Sequence, residues 1–541
     1  MSARVRLTRL LDRGFYPVEL PPTFDTQRFS SIQNDLAPGT GYAGATTFFD
    51  GATFRGNLRR FGVVNPINYF LLSRFIAQNW TEIVKTFNLS KCTGTRPRFP
   101  NLGADGRAIA MSSVASKRTA QGHLASVYPV ILSADINRFY GSIYTHSLPW
   151  AALGKTEAKR KFNNNTLNSH WSAHLDRYTR NCNQRQTVGI PIGPDTSRIL
   201  SEMILSRIDC ELCEKGTKIS SNRVYHSIDD YQFGLLELSE AEDAEAQFVR
   251  VLSRYELQIN DFKTKFEHGL DFAPSYFQRE FDILKRQRGK AFVEHFFDIL
   301  YRETKDRPQV NVAGYALKRF AAVLAASEEQ SLVAEHLQRF LFAAPYQARW
   351  IFPLLLGFWR RRTIGADDRR LLLWGIQTSA RRNDVGSLLW YLYATIFVRV
   401  RLGAADCFSC FQLSNELVDL MLVHGRSEGL FSLDIQKLRT RYSGSSMASA
   451  AWLPLYEIER KGWDPTPSFS KIGTGSDPGA LYSQLALANV EFYRIDPDVF
   501  GVSSFSGWGL SNESFEPVRR RYPLENFEME FLMYGQDEVY E

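Results

Sequence analysis

Cysteine is scarce in this sequence, with six residues in a chain of 541. A disulfide-stapled scaffold needs a far denser cysteine pattern, so that class is excluded and a reducing cytoplasm is expected. Long apolar runs are also missing. The longest, residues 385–398, has 14 residues, whereas a membrane-spanning helix needs roughly 18. We therefore expect a cytoplasmic protein without membrane contact, in which this run forms a buried helix.

The sequence also lacks the low hydrophobicity of a disordered chain. Apolar residues make up 44% and charged residues 23% of the 541 positions, which is enough for packed cores in two to four domains of ordinary size. The 65 basic residues exceed the 58 acidic ones by seven. This mildly basic balance permits a polyanionic partner without requiring one.

One stretch has no lysine but is rich in arginine. Residues 349–401 contain ten Arg against three Asp, a net charge of +7, and aromatic residues are interleaved with them. Arginine beside aromatic rings suits single-stranded nucleic acid, because phosphate neutralisation is combined with base stacking. The alternative is that the rings belong to a core and the arginines to a solvated face or a subunit contact.

The chain changes character near residue 285. Before it, short β-type runs alternate with helices: a strand is predicted to end at Asp135, and a hairpin with a tight turn is predicted over 222–238. Residues 39–56, rich in glycine, are predicted to form a loop. Beyond 285, apolar residues recur at helical spacing without a clean repeat period. The predicted fold class is α+β, with an α+β domain followed by an all-α, solenoid-like domain that ends in a Phe/Tyr-rich tail, over residues 1–285 and 286–541.

Three segments, in their order along the chain, predict a catalytic site. In 133–144 an acidic residue ends the predicted strand, 189–197 is a Gly/Pro turn that leads into a long helix, and 227–231 is a hairpin turn with two adjacent carboxylates. Nucleotidyl transfer uses two Mg²⁺ ions, roughly 3.5–4 Å apart, clamped by carboxylates. Carboxylates at the ends of adjacent strands would supply that geometry.

These segments resemble motifs A, B and C of reverse transcriptases, in that order. The sequence of these segments is similar to that of the defence-associated, abortive-infection reverse transcriptases of the AbiK type. The similarity is carried by DINRFYGSIYTHSLPWAALGK, by GIPIGPDTSRILSEMILSRID and by LLDRGFYPVELPP near the N-terminus. The resemblance covers about residues 7–270. It implies a right-hand polymerase with fingers and palm, no thumb of the usual kind, and a role in bacterial antiphage defence by polymerising dNTPs.

The resemblance also implies metal ligands, residue by residue. Asp135 matches the motif A ligand, Asp229 the first motif C ligand and Asp230 the auxiliary carboxylate, while Ile136 offers a backbone carbonyl. The expected cofactor is a pair of Mg²⁺ ions, with Mn²⁺ as a substitute. Tyr140 matches a bulky aromatic that crowds a ribose 2′-hydroxyl and so favours deoxynucleotides; the alternative is a plain core aromatic.

Three basic residues are expected near the triphosphate. The segment LQINDFKTK resembles motif D, whose lysine would be Lys263. A lysine there could protonate the departing pyrophosphate as a general acid, although a plain surface lysine is the alternative. Lys117 and Arg118, upstream of motif A, are predicted to bind the triphosphate.

Two positions depart from the usual reverse transcriptase pattern. Ser227 replaces the Tyr of Tyr-x-Asp-Asp, and Ile192, followed by Gly193, replaces the glutamine of Pro-Gln-Gly that helps to position template and nucleotide. An aliphatic side chain has neither the donor nor the acceptor of an amide. AbiK-type enzymes share this isoleucine and are associated with DNA synthesis that needs no nucleic-acid template and is primed on a protein tyrosine.

The resemblance further implies a single-stranded DNA product covalently attached to the protein, and a closed homo-oligomer. Tyrosine is a reasonable primer, because a phenol with a pKa near 10 loses its proton more readily than serine. Tyr42, in a glycine-hinged segment, is one candidate, and a plain surface loop is the alternative. Two rival functions are considered: a reverse transcriptase that copies a dedicated non-coding RNA, and a catalytically silent nucleic-acid-binding scaffold.

Overall fold

The structure is a computed structural model that describes residues 1–26, 28–36, 38–100, 107–110, 114–214, 217, 219–268, 277–308, 310–360, 362–464 and 478–495. Helices predominate, and the strands are short. In chain order the elements are α1 (Ala3–Arg13), β1 (Thr47–Ala52), β2 (Leu58–Val63), α2 (Pro66–Gln78), α3 (Trp80–Phe87), α4 (Val114–Val127), β3 (Val130–Asp135), α5 (Phe139–Ser142), α6 (Ser147–Leu153), α7 (Lys155–Asn163), α8 (Trp171–Asn181), α9 (Asp195–Leu212), β4 (Val224–Ser227), β5 (Asp230–Leu235), α10 (Ser239–Arg254), β6 (Lys265–His268), α11 (Phe277–Asp282), α12 (Gly289–Asp306), α13 (Val312–Ala325), α14 (Gln330–Ala343), α15 (Ala348–Trp359), α16 (Ala366–Arg381), α17 (Val385–Phe397), α18 (Ala404–Phe411), α19 (Glu416–Ser427), α20 (Ile435–Tyr442), α21 (Trp452–Arg460) and α22 (Pro478–Leu487).

The contacts divide the chain into two units. The first comprises Met1–Phe15, Ala37–Thr46 and Val64–Ser275, and the second comprises Tyr16–Leu36, Thr47–Val63 and Tyr276–Glu541. The domain ranges predicted from the sequence, 1–285 and 286–541, are single runs of chain. The contacts instead group two early segments with the C-terminal helices.

The first unit is built around a four-stranded antiparallel sheet with the order β4-β5-β3-β6. β3 ends at Asp135, as the sequence predicts, and β4 and β5 form the predicted hairpin. β3 is one of the two inner strands: Val130 lies opposite Leu235 of β5 on one side and opposite His268 of β6 on the other. Five of its six residues are buried.

The helix after the Gly/Pro turn is the longest helix in the described part of the first unit. α9 begins at Asp195, an acidic residue in the first turn, where a negative charge is favourable to the helix dipole. The hydroxyl of Ser197 donates a 2.6 Å hydrogen bond to the carbonyl of Pro191 and so ties the turn to the helix. Most of its residues are buried, so α9 is a core helix of this unit.

The second unit contains a two-stranded sheet as well as helices. β1 and β2 pair as an antiparallel hairpin, with Phe49 opposite Phe61, although residues 39–56 were predicted to be a loop. That prediction is wrong over 47–52, because glycine in a strand can also mark a close backbone approach. A Cβ at Gly386 would lie 2.8 Å from the Cα of Gly51, so the glycines serve packing against α17 rather than a turn.

The arginine- and aromatic-rich stretch 349–401 contributes mainly to the core of the second unit. Trp359, Trp390 and Tyr391 are at most 2% exposed, so these rings cannot stack on nucleic-acid bases. Arg349 is also buried and forms a 3.1 Å ion pair with Glu19. The packing therefore favours the core interpretation for the aromatic residues of this stretch.

The run 385–398 forms the buried helix α17, as expected. In the part of the chain that the structure describes, no helix combines the length and the apolar character that crossing a membrane requires.

Candidate active site

Two predicted metal ligands lie opposite each other at the end of the sheet. Asp135 is the last residue of β3, Asp230 is the first residue of β5, and the two are register partners. The amide of Ile136 donates a 3.3 Å hydrogen bond to the carbonyl of Asp229, so motif A and motif C are joined through their main chains. Asp135 is only 6% exposed. The sheet thus brings Asp135, Ile136, Asp229 and Asp230 into one place.

The turn that carries Asp229 has an unusual backbone. Ser227 pairs with Asp230, so Ile228 and Asp229 form a two-residue hairpin turn, a length that favours positive φ at its first residue. Ile228 has φ of 56°, which is uncommon for a β-branched residue and costs of order 1–3 kcal/mol. Such strain persists only where the surroundings hold it. Here the amide of Ile228 donates a 3.0 Å hydrogen bond to the hydroxyl of Thr95.

The motif D segment is bound to Asp135. The amide of Asn260 donates a 2.8 Å hydrogen bond to the carbonyl of Asp135, and Asn260 Nδ2 donates one of 3.2 Å to Asp135 Oδ1. Lys263 Nζ lies 3.5 Å from Asp135 Oδ2. The ammonium group of Lys263 therefore lies beside the carboxylate of Asp135 as its counter-charge. The structure thus brings Lys263 to the predicted site.

The motif B turn is hydrogen-bonded to helix α5 and the residue after it, both within motif A. The amide of Ile190 donates to the carbonyl of Tyr140 at 2.9 Å, and the amide of Gly189 donates to the carbonyl of Ile143 at 2.8 Å. Tyr140 is 8% exposed. Ile192 is half-buried, and Gly193 has φ of 122°, a conformation that glycine adopts at little cost.

A buried ion pair fixes the other end of the motif B turn. Arg107 Nη2 donates hydrogen bonds of 2.8 Å to the carbonyl of Gly193 and 2.7 Å to Asp195 Oδ1, and Arg107 Nε donates a third of 3.0 Å to the same carboxylate oxygen. Both side chains are at most 4% exposed. An arginine fork suits this task, because its donors are planar and rigidly spaced.

A second buried polar group lies beside the β4–β5 hairpin. His226, on β4, places Nδ1 2.9 Å from Asp209 Oδ2 of α9 and Nε2 3.8 Å from Glu202 Oε2. Tyr231 donates a 2.9 Å hydrogen bond to Asp209 Oδ1, and Ser90 also bonds to this carboxylate. Burial by itself lowers the pKa of His226, but the nearby negative charges of Asp209 and Glu202 outweigh it and raise the pKa to about 10.

The donor set suits magnesium. Mg²⁺ prefers oxygen ligands and is commonly held by one or two carboxylates together with substrate phosphates, rather than by an all-protein cage. Among the described residues, no group of three or more His, Cys, Asp or Glu is placed to hold a metal ion, so the binding of Mg²⁺ by Asp135, Asp229 and Asp230 stays a prediction. The ammonium of Lys263 beside Asp135 shows that this carboxylate faces a position where positive charge is stabilised.

Three predicted residues are not brought to this site by any described contact. Lys117 and Arg118 lie in α4, and their side chains are outside the described part of the chain. Tyr42 is half-buried, and its carbonyl accepts a 2.9 Å hydrogen bond from Asn68 of α2.

Sequence reasoning missed several residues that position the site. Asn260 lies inside the motif D segment. Its side-chain amide could not be distinguished from that of Gln258, two positions earlier, by sequence alone. Thr95 and Arg107 belong to a loop-like region whose partners lie 133 and 88 residues away. Spacing along the chain cannot reveal such pairs.

No protein-family model matches the sequence, and no curated protein matches it either. Among solved structures, the chain is similar to telomerase from Candida albicans in complex with a fragment of telomeric RNA, at 12% identity and a TM-score of 0.27. The matched region covers 72% of this chain and 65% of the telomerase chain.

Proposed function

We propose that this protein is a DNA polymerase of the reverse transcriptase family that transfers nucleotides from dNTPs to a growing single strand. The observation that carries this proposal is the pairing of Asp135 with Asp230 at adjacent strand ends, with Asp229 in the connecting turn. Two-metal nucleotidyl transfer requires carboxylates that hold the metal ions, and this arrangement supplies them. Lys263, later in the chain, also reaches Asp135.

The chemistry follows from the chain's own groups. A hydroxyl gives up its proton to solvent and attacks the α-phosphorus of a dNTP, a new P–O bond forms, and the bond to pyrophosphate breaks. Asp135, Asp229 and Asp230, with the carbonyl of Ile136, would hold two Mg²⁺ ions, which activate the attacking hydroxyl and neutralise the leaving group when bound. Lys263 would donate its proton to the departing pyrophosphate oxygen. Tyr140 would exclude a 2′-hydroxyl by its bulk.

The proposed synthesis needs no nucleic-acid template and begins on a protein tyrosine. Ile192 supports the first part, since its side chain cannot make the amide hydrogen bonds that the glutamine makes in templated enzymes. In the second part, a tyrosine hydroxyl makes the first attack, so the product remains attached through a tyrosyl phosphodiester. Tyr42 is a candidate primer, and Lys117, Arg118 and Gly193 are candidate nucleotide contacts.

The biological setting is part of the same proposal and rests on the AbiK resemblance. The enzyme would act in the bacterial cytoplasm in antiphage defence, as a homo-oligomer. Its partners would be dNTPs and the attached DNA strand.

The experiment uses nuclease-treated, full-length protein with Mg²⁺ and labelled dNTPs and without template or primer, followed by a denaturing protein gel with and without protease. Label that migrates with the protein and is released by protease is the expected result. Label that appears only after a co-expressed RNA is supplied would instead establish the RNA-copying alternative. Phage protection that survives Asp135→Ala would favour the silent scaffold.

A further inference from the structure

A short segment before the predicted active site runs along the outer edge of the β4–β5 hairpin. We call residues 90–95 the brace. The amide of His226 donates a 3.1 Å hydrogen bond to the carbonyl of Cys92, and the amide of Gly94 donates one of 2.8 Å to the carbonyl of His226. The brace therefore pairs with β4 through one isolated parallel β-bridge, between Thr93 and His226.

The brace is itself fixed from within. The hydroxyl of Ser90 accepts hydrogen bonds from the amides of Cys92 and Thr93, at 3.0 and 3.2 Å, and also bonds to Asp209. Gly94 packs closely against Tyr225, because a Cβ there would lie 2.1 Å from Tyr225 Oη. The end of the brace is consequently held in a defined position relative to β4.

Thr95 is where the brace reaches the turn that carries Asp229. Its hydroxyl accepts the 3.0 Å hydrogen bond from the amide of Ile228, the residue with the left-handed φ. Thr95 is 3% exposed and Ile228 4%, so water cannot replace this bond readily. Without it, a buried amide would lose its acceptor in a strained turn next to Asp229.

We propose that Thr95 is a positioning residue for polymerisation, whose hydroxyl fixes the Ile228–Asp229 turn and thereby the Asp229 carboxylate relative to Asp135. Thr95 does not touch the reacting atoms. It acts through the main chain of Ile228, as residues behind metal ligands commonly orient them. This inference rests on the proposed polymerase function.

Thr95→Val tests the hydroxyl with little change of shape, and Thr95→Ser keeps the hydroxyl. Residues behind metal ligands typically change metal affinity or activity by about 10- to 100-fold, so we expect Thr95→Val to lower kcat by that factor and to raise the Mg²⁺ concentration for half-maximal activity, with KM for dNTP little changed. Thr95→Ser should remain within about 3-fold of the wild type, because the acceptor is preserved.

The matched control is Thr86→Val. Thr86 is 4% exposed on α3, and its hydroxyl donates a 3.2 Å hydrogen bond to the carbonyl of Glu82 within the helix. This substitution also removes a buried hydroxyl, and it should leave kcat and the Mg²⁺ requirement unchanged. A difference between the two valine variants separates positioning from a general loss of stability.

Several outcomes would overturn the inference. A folded Thr95→Val protein with wild-type kcat and Mg²⁺ requirement removes the role of Thr95 while the polymerase function stands. If Thr95→Val does not fold, equal kcat for Thr95→Ser and Thr95→Ala has the same meaning. Wild-type protein that incorporates no dNTP, with or without RNA, overturns the polymerase function and this inference together.

Discussion

Asp135 and Asp230 face each other across two antiparallel strands, one as the last residue of β3 and the other as the first residue of β5. Because neighbouring strands are held by their ladder of hydrogen bonds, the distance between the two main chains is fixed by the sheet and not by side-chain contacts. Two negative charges are thereby held close without depending on a flexible loop. A site of this kind favours the binding of cations.

The carboxylates provide the first prediction. Asp135→Asn keeps the shape of the side chain and its place in the sheet but removes the charge, so nucleotide incorporation should fall to the background of the assay as a metal ligand is weakened. Asp261→Asn is the matched control, because Asp261 is an exposed acid in the same turn as Asn260. Incorporation is measured as labelled dNTP per protein, and the unfolding temperature is measured in parallel. Equal activity of the two variants would exclude Asp135 as a ligand.

Lys263 provides the second prediction. Loss of a positioned general acid typically lowers the rate by about 10²–10⁴-fold, and we expect Lys263→Met to lower kcat into this range with KM for dNTP changed less. Lys265→Met is the control, since Lys265 lies two residues further along, on β6, and is largely exposed. The kcat values are compared at saturating Mg²⁺. The general-acid role is refuted by a kcat for Lys263→Met that equals that of the control.

The buried His226 provides a prediction for pH. The pKa of His226 is raised to about 10 in the folded protein, above the value near 6.5 of an unfolded chain. Protonated His226 therefore stabilises the fold fully below about pH 6.5, and this contribution is lost as the pH rises through about 10. Urea unfolding of the wild type should show lower stability at pH 10 than at pH 7.

His226→Gln should remove this pH dependence and should itself destabilise the protein by about 3–5 kcal/mol, because the carboxylate of Asp209 is left buried without its charged partner. His268→Gln is the control, as His268 is exposed on β6. A pH dependence that persists unchanged in His226→Gln would show that another group titrates in this range.

The Arg107–Asp195 pair provides the fourth prediction. Arg107→Lys keeps the positive charge but loses the fork that bonds to both Asp195 and Gly193. Breaking a buried pair costs about 3–5 kcal/mol, and we expect most of this loss for Asp195→Asn and Arg107→Lys alike. A double-mutant cycle measured by urea unfolding should give a coupling energy of about 1 kcal/mol or more. Additive single effects would contradict the pairing.

The sequence predicts those parts of the fold that are determined by neighbouring residues, such as strand ends and tight turns. The end of β3 at Asp135 and the tight turn between β4 and β5 follow from a run of apolar residues and from turn chemistry, which sequence shows directly. The pairing of these strands into one sheet, and hence the approach of Asp135 to Asp229, was anticipated from motif order alone. Whether these residues bind metal stays a prediction.

What the sequence did not indicate depends on contacts between distant residues. The sequence predicts a loop at Gly51, because glycine more often marks a turn than a close backbone approach. Only the position of Gly386 in the structure distinguishes the close approach from a turn. Likewise, the threonine that holds the Ile228 amide has no local feature that separates it from other threonines. The arginine stretch was ambiguous for the same reason, since burial of its rings is decided by the neighbouring helices.

The grouping of residues 16–36 with the C-terminal helices has a consequence for the order of events on the ribosome. Tyr16 donates a hydrogen bond to the carbonyl of Phe492, across 476 positions of sequence, and the amide of Arg494 donates one to the carbonyl of Thr23. At roughly 5–20 residues per second of synthesis, this early segment waits on the order of half a minute to a minute and a half for its partner to be made. During that interval its apolar side chains, Phe24 and Phe29 among them, have no completed core to enter, so a nascent chain of this protein is a natural client for chaperones that shield exposed apolar segments.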